Sequence, residues 1–328
     1  MYSPRLFADI RSHFSIEADF LKENVNFSDV RWMGGKGGAL HIVSKDMRYI
    51  LKTLSKADHE TLLQVTQEYT SHVTRGPSLL ARIFLHFEHQ GRIWIVMNNW
   101  FPGHEATHFD LLYDIKGCDD DKKLISGNRK VPIRRNRWYT LPYRWPFFSR
   151  TAITERALYK SGKIEARTLQ IGMNMQTKKE LLGVLSRDVQ FLRGKGLMDY
   201  SLILAMKRTE ENGGAEEEEE AMKRKRCPPF PIRRFKLGRR RRPHAQTSSQ
   251  DEPSDICSRK SKCVIKATYA GENYSAYVGL IDFLQDWNMK KKIARLMKFC
   301  EHNKSTEPPS FYADRFLNHI NSSLVVGY

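Results

Sequence analysis

The chain has 328 residues, with 55 Lys plus Arg against 37 Asp plus Glu, a formal charge of +18, and a 40% hydrophobic, 11% aromatic composition. That content supports the core of one large or two modest domains and excludes a mainly disordered chain. No apolar run reaches the roughly 18 residues of a membrane-spanning helix, and the N-terminal MYSPRLFADIR lacks the apolar stretch of a secretory signal.

Residues 31–54 predict a β-hairpin: RWMGGKGGALHIV alternates toward Val43, SKDMR supplies the turn and YILKTL returns. Gly34-Gly35-Lys36-Gly37-Gly38 lies early in it, where glycines let backbone amides approach a phosphate without a Cβ in the way. The same string also makes a plain flexible turn. Lys52 follows the apolar run Tyr49-Ile50-Leu51, where an unpaired ammonium is costly. A nearby phosphate and carboxylate relieve that cost, and so does snorkelling from an edge strand. Ala57 to Val73 reads as a helix with Leu62, Leu63 and Val65 on its apolar side. Glu60 lies in its first turn, an ordinary place for an acid. Glycine loop, strand lysine and helix glutamate is also the order of a kinase nucleotide site.

Arg82–Met97 predicts a second hairpin turning at Gln90-Gly91, and Asn98-Asn99 suits a hinge to a following lobe. His108 to Lys116 reads as a strand ending in the turn Lys116-Gly117-Cys118, and Thr177 to Leu192 as an amphipathic helix. Asp199 stands just ahead of the apolar strand Tyr200–Met206, and Asp282 ends the apolar strand Tyr277–Ile281. Each alone reads equally as a turn or cap aspartate. Together they suit metal-assisted phosphoryl transfer, one carboxylate accepting the hydroxyl proton and the other holding magnesium. The HRD and DFG strings of protein kinases are absent, which disfavours an ordinary protein kinase.

Two stretches carry much of the charge pattern. Residues 209–262 hold 10 acidic and 14 basic residues in blocks, Glu216–Glu220 and Arg239–Arg242 among them, and predict a disordered insert. Its arginine runs also fit a nuclear signal or a polyanion contact. Residues 129–150 interleave Arg129, Lys130, Arg134, Arg135, Arg137, Arg144 and Arg150 with Trp138, Tyr139, Tyr143, Trp145, Phe147 and Phe148. Rings and cations so mixed suit a lipid interface, stacking on single-stranded nucleic acid, or a loop packed on the body. The basic excess outside the insert points to a polyanion: a nucleic acid or an anionic membrane face. The five cysteines (Cys118, Cys227, Cys257, Cys263 and Cys300) form no CxxC pair, so neither a disulfide framework nor a zinc site is indicated, and a reducing compartment is expected.

Six pieces in order resemble the phosphatidylinositol phosphate kinases: YSPRLFADIRSHFSIEADFL at 2–21, GGKGGALHIVSKDMRYILKTL at 34–54, IVMNN at 95–99, YDIKG at 113–117, DVQFLRGKGLMDYSLIL at 188–204, and GLIDFLQDWNMKKK at 279–292 with PPSFYADRF at 308–316. MDYSL and IDFLQ are the most specific, and the family's variable charged insert falls between them, where residues 209–262 sit. The resemblance implies an α+β, two-lobed kinase-like fold with antiparallel sheets, an N-terminal lobe over 1–99, a C-terminal lobe over 100–328, and the charged insert within the latter. It implies an ATP- and Mg²⁺-dependent lipid kinase acting on a phosphatidylinositol monophosphate. Its expected setting is peripheral, at the anionic cytosolic face of membranes, with a nuclear pool and a homodimer as further expectations and no nucleic-acid partner.

Carried over by position, Lys52 would contact the ATP phosphates and Glu60 would pair with Lys52. Gly34–Gly38 would cover the phosphates, and Met97 and Asn98 would line the adenine hinge. Asp199 would be the catalytic aspartate, Asp282 would hold Mg²⁺ and Lys116 would meet the inositol phosphate. Lys291 and Lys292 would open the activation segment, which would engage the lipid and run to about Phe311. Cys118 departs from the family's usual serine. At Ala294, family members that phosphorylate the 5-position usually carry glutamate and those that phosphorylate the 4-position alanine, whereas PPSFYADRF is closer to the 5-kinases. The wider pattern favours 5-phosphorylation of phosphatidylinositol 4-phosphate. The alternatives are 4-phosphorylation of the 5-phosphate, or a catalytically weak phosphoinositide-binding scaffold.

Overall fold

The computed structural model describes residues 1–27, 31–32, 39–101, 106–132, 150–209, 263–288 and 305–327. The glycine-rich stretch, most of the basic aromatic stretch, the charged insert from 210 onward and the segment carrying Lys291, Lys292 and Ala294 lie outside these residues. The fold is α+β, built on two mainly antiparallel sheets within one unit formed by Met1–Arg208 and Ile256–Tyr328.

The first sheet has five strands, β1 (Arg31–Trp32), β2 (Leu40–Val43), β3 (Tyr49–Thr53), β4 (Ile83–His89) and β5 (Arg92–Asn98), in the order β1-β2-β3-β5-β4. The second expected hairpin forms, and the first forms over Leu40–Thr53; Arg31–Trp32, expected to run into the same arm, is a separate strand antiparallel to Leu40–His41. In the first, Ser44 Oγ donates to Asp46 Oδ1 at 2.6 Å and Arg48 N donates to the same oxygen at 3.0 Å, closing the turn. In the second, Gln90 and Gly91 have φ of 50° and 68°, the left-handed pair that matches the twist of a two-residue hairpin. Helix α1 (Pro4–His13) packs on β4 and on helix α2 (Lys56–Arg75). Helix α2 is capped by Ser55, whose Oγ accepts from Asp58 N at 3.1 Å. Its buried face is Leu62, Val65, Tyr69 and Val73, the spacing of a single helical stripe.

The second sheet follows a short 3₁₀ turn at Ala106–His108. In chain order its strands are β6 (Leu111–Ile115), β7 (Lys122–Ser126), β8 (Arg129–Lys130), β9 (Ile171–Met173), β11 (Ser201–Arg208), β12 (Val264–Tyr269), β13 (Glu272–Ile281) and β15 (Leu324–Val326). They lie in the order β15-β9-β12-β13-β11-β6-β7-β8, with only the β15–β9 pair parallel. Strands β10 (Leu197–Met198) and β14 (Gln285–Asp286) form a separate two-stranded ribbon. Helices α3 (Arg150–Arg167), α4 (Met175–Gly194) and α5 (Pro309–Ser323) complete the described elements. Ser201 to Met206 are all buried because β11 is central and covered on both faces, which explains its continuous apolar run. On one face, Leu202 and Leu204 meet Leu181 of α4 and Ile320 of α5 around a cavity of about 20 Å³.

The expected helix at 177–192 is α4, one turn longer overall, with Asn174 Oδ1 accepting from Thr177 N at 2.6 Å as its cap. The expected strand Tyr277–Ile281 is the second half of the ten-residue β13. Helices α1, α3 and α5 lie where the sequence reading assigns no element. Because α5 begins at Pro309, Phe311 is in a helix rather than at the end of a loop. Of the basic aromatic stretch, Arg129–Lys130 form β8 and Arg150 opens α3, while 133–149 are outside the described residues. No described helix is long and apolar enough to cross a membrane.

Candidate active site

Register brings the candidate residues to one end of the second sheet. Ser201 pairs with Ile281 across β11 and β13, so Asp199, two residues before, and Asp282, one residue after, leave the sheet at the same edge. On the other side of β11, Leu202 pairs with Ile115, which places Lys116 beside them. The ribbon β10–β14 holds the flanking residues, pairing Met198 with Gln285. Both aspartates have left-handed backbones, φ 64° at Asp199 and 59° at Asp282. Non-glycine residues keep that conformation only where their surroundings impose it, and such positions cluster at functional sites.

Two lysine–aspartate pairs result. The Lys116 ammonium donates to the Asp199 carboxylate and, at 2.5 Å, to the Asp199 carbonyl. Lys52, in register with His41 and Ile95 of the first sheet, reaches across to the Asp282 carboxylate. Desolvation works against the Lys116 charge, yet Asp199, Asp114 and Asp282 outweigh it and hold its pKa above the ordinary value. Desolvation likewise pushes the Asp282 carboxyl up, and the charge and hydrogen bond of Lys52, then Lys116 and His41, bring it below the usual carboxylate value. His41, beside this pair, is depressed by burial and by Lys52. Asp282 thus stays ionised while its side chain keeps 51% exposure. Magnesium takes one or two carboxylates together with phosphate oxygens and water, and an ionised, accessible Asp282 fits that requirement. No group of three ligating side chains exists among the described residues.

The side-chain partner of Lys52 in this structure is Asp282, where the sequence expectation named Glu60. Among the described residues no ion pair joins Lys52 to Glu60. Glu60 lies 4.0 Å from Lys56 one turn back, 55% exposed, while Lys52 pairs with Asp282. The residue that ties the start of α2 to the site is Asp58, whose Oδ1 accepts from Gln285 Nε2 at 2.7 Å. Met97 and Asn98 end β5, two and three positions beyond the Ile95 that faces Lys52. The Asn98 Oδ1 accepts from Arg82 N at 2.7 Å, and its buried Nδ2 meets no hydrogen-bond partner among the described residues. Gly34, Gly35, Lys36, Gly37, Gly38, Lys291, Lys292 and Ala294 lie outside the described residues.

Two supports went unread in the sequence. The Tyr312 hydroxyl of α5 donates to the Tyr200 carbonyl, directly after Asp199. Asp188 of α4 is buried and accepts from Ser78 Oγ at 2.8 Å, Leu79 N at 2.6 Å and His72 at 2.6 Å. Leu79 O in turn accepts from Leu280 N at 2.6 Å, two residues before Asp282. The single acid in DVQFL, on the otherwise apolar side of α4, was the one available signal.

A lysine and two carboxylates at a sheet edge, met by a lysine from a second sheet, form the arrangement that a phosphotransferase needs to hold phosphates and take up a hydroxyl proton. The chain belongs to the phosphatidylinositol-4-phosphate 5-kinase family, whose model matches residues 25–323. A phosphatidylinositol 4-phosphate 5-kinase of Plasmodium falciparum is 23% identical over 98% of this chain and 18% of its own length. One of Schizosaccharomyces pombe is 21% identical over 98% of this chain and 45% of its own length. The mouse type-1 beta enzyme of that name is 24% identical over 98% of this chain and 57% of its own length. The chain therefore spans no more than 57% of the length of these relatives.

Proposed function

We propose that the protein phosphorylates the inositol ring of a phosphatidylinositol monophosphate, and that its preferred reaction is 5-phosphorylation of phosphatidylinositol 4-phosphate. The observation that carries this is the convergence of Lys52, Asp282, Asp199 and Lys116 at one sheet edge. In this reading the nucleotide lies between a lobe of residues 1–99 and a lobe of residues 100–328. The 34–38 stretch covers its phosphates, and Met97 and Asn98 are beside its base. Magnesium, held by Asp282, would neutralise phosphate charge. Asp199 accepts the proton of the attacking ring hydroxyl. The γ-phosphoryl group passes to that oxygen as its bond to the β-phosphate oxygen breaks, and ADP leaves. Lys116 meets the phosphate already on the ring.

The basic excess and the Lys291–Lys292 segment hold the enzyme on an anionic bilayer. The names of the relatives and the PPSFYADRF motif support the 5-position, and Ala294 points the other way. The test is labelled ATP with phosphatidylinositol 3-, 4- or 5-phosphate in matched liposomes, followed by headgroup analysis. Incorporation into the 4-phosphate at position 5 is expected. Label at the 4-position of the 5-phosphate would correct the regiochemistry, and no incorporation into any of the three would overturn the reading. Ala294→Glu should shift the kcat/KM ratio further toward phosphatidylinositol 4-phosphate.

A further inference from the structure

Three consecutive acids follow Lys116-Gly117-Cys118, and the structure uses them differently. Asp119 pairs with Arg167 of α3 at 2.8 Å, and Asp120 accepts from Ser305 N at 3.1 Å. Asp121 turns inward and is fully buried, at 0% exposure. Its Oδ1 accepts from Lys116 N at 2.5 Å and from Cys118 N at 3.3 Å, while its own N–H donates to Cys118 O at 3.0 Å. This closes a tight loop around Gly117, whose φ of +69° suits glycine and whose absent Cβ leaves room for His319 of α5.

We propose that Asp121 is a positioning residue for Lys116: its carboxylate fixes the backbone of the 116–118 turn, and so fixes where the Lys116 ammonium stands against Asp199. The proposal rests on the reading of Lys116 as a substrate-facing residue and deepens it. A lysine side chain has four flexible bonds, so an ammonium placed on one carboxylate needs a rigid base. Charge-assisted N–H···O⁻ bonds are stronger than neutral ones, which is the use of an acid at this position.

The charge of Asp121 has a cost. Burial lifts its carboxyl to about 6, against the opposing pull of the Lys116 and Cys118 N–H groups. The groups facing it are Asp114 and Lys116 of β6 and its following turn, Cys118, Asp119 and Asp120 of its own loop, Arg167 of α3, and Arg315 and His319 of α5. His319 Nε2 lies 3.5 Å from Asp121 Oδ2, beyond a well-formed hydrogen bond. Burial, then Arg167 and Arg315, depress the pKa of His319, so at neutral pH it supplies no full countercharge. Because the folded carboxyl titrates above its unfolded value, the folded state binds more protons between about 4 and about 6. Stability therefore falls as pH rises through that window and stays reduced above it.

The experiment compares wild type with Asp121→Asn, Asp121→Ala and Lys116→Met, using phosphatidylinositol 4-phosphate liposomes and Mg-ATP from pH 5 to 8. Wild-type kcat/KM for lipid should fall as pH drops through about 6. Asp199 and the lipid phosphate titrate alike in both proteins, so the ratio of Asp121→Asn to wild-type kcat/KM should be lowest at pH 8 and rise toward one as pH drops through about 6, and the variant should match or exceed the wild-type Tm at pH 7.5. Asp121→Ala should lose at least tenfold in kcat/KM for lipid, with KM for ATP within twofold. Hydrogen exchange of a peptide covering 113–123 should rise at least tenfold in Asp121→Ala with β11 and β13 unchanged, a readout that needs no turnover. Unchanged exchange in that peptide, a ratio of Asp121→Asn to wild-type kcat/KM that does not vary with pH, or a loss of Tm that tracks the loss of rate would overturn the proposal. If Lys116→Met kept wild-type activity, the functional reading of Lys116 would fail. If Lys116→Met lost activity while the Asp121 variants behaved as wild type, only the positioning role would fail.

Discussion

The two lysine–aspartate pairs look alike and are held in different ways. Lys52 and Asp282 come from different sheets, 230 residues apart, and meet through side chains that are 21% and 51% exposed. Lys116 and Asp199 sit at the ends of adjacent strands in one sheet, 14% and 19% exposed, and the lysine also grips the Asp199 backbone carbonyl. Beneath them α5 fastens Tyr200, and Asp121 fastens the Lys116 turn. An exposed pair contributes about 0–1 kcal/mol and parts easily, which suits the nucleotide contact proposed for Lys52. A pair fixed through the backbone keeps its geometry, which suits the proposed role of Asp199 as a base that selects one ring hydroxyl.

Removing the carboxylates should have the largest effect. Asp199→Asn and Asp282→Asn should each lower kcat by at least about 10²-fold, the lower end for a general base or a metal-linked group. Single-turnover kinetics on variants with wild-type thermal profiles measures this, and retention of most of the rate would remove the roles. Breaking the lysines separates the two pairs. Lys52→Met should abolish turnover while keeping liposome binding and a Tm within about 3 °C of wild type, since an exposed pair holds little stability. Lys116→Met should lose both rate and several degrees of Tm, because it strips a largely buried carboxylate of its cation. Equal Tm shifts in the two variants would erase the distinction.

The same contrast explains what the sequence could disclose. Local patterns were legible: the turns at Ser44–Arg48 and Gln90-Gly91, the stripe of α2, and the acids at the ends of two apolar strands. All four are properties of neighbours in the chain. The pairing of Lys52 with Asp282 and not Glu60 in this structure was not legible, because reach across a turn depends on helix placement, and Asp58 rather than Glu60 faces β14. Asp121 and Tyr312 stayed hidden because their work is done on residues 5 and 112 positions away. Nothing in DDD shows which acid turns inward.

A smaller effect is expected at the face of β13 that leads to Asp282. A Cβ on Gly279 would lie 2.2 Å from the Trp100 ring, which follows directly on Asn98-Asn99. Gly279→Ala should cost about 1–3 kcal/mol as the ring or strand shifts, and should slow turnover as well. Gly183 of α4 has open space around it, and Gly183→Ala should instead raise stability by about 0.5–1 kcal/mol with no change in rate. Denaturant titration and kcat on both variants make the comparison. Tolerance of alanine at 279 would mean that the Trp100 ring gives way at no cost to β13.

The smallest effect sets one helix cap against another. Ser55 caps α2 and Asn174 caps α4 through the same kind of bond, Oγ to Asp58 N and Oδ1 to Thr177 N. Truncating either to alanine should cost about 1 kcal/mol. The consequences diverge because of what the first turns touch. Asp58 holds Gln285, three residues past Asp282 on the strand that pairs with Met198, next to Asp199. Fraying at Ser55 therefore loosens the strip that carries both carboxylates, whereas the first turn of α4 makes no such contact among the described residues. Ser55→Ala should lower kcat two- to threefold beyond what its small loss of stability explains, and Gln285→Ala should reproduce that loss without adding to it in the double variant. Asn174→Ala should lose the same stability and keep wild-type kcat. Matching rates for the two cap variants, at matching stability, would show that the start of α2 does not reach the site.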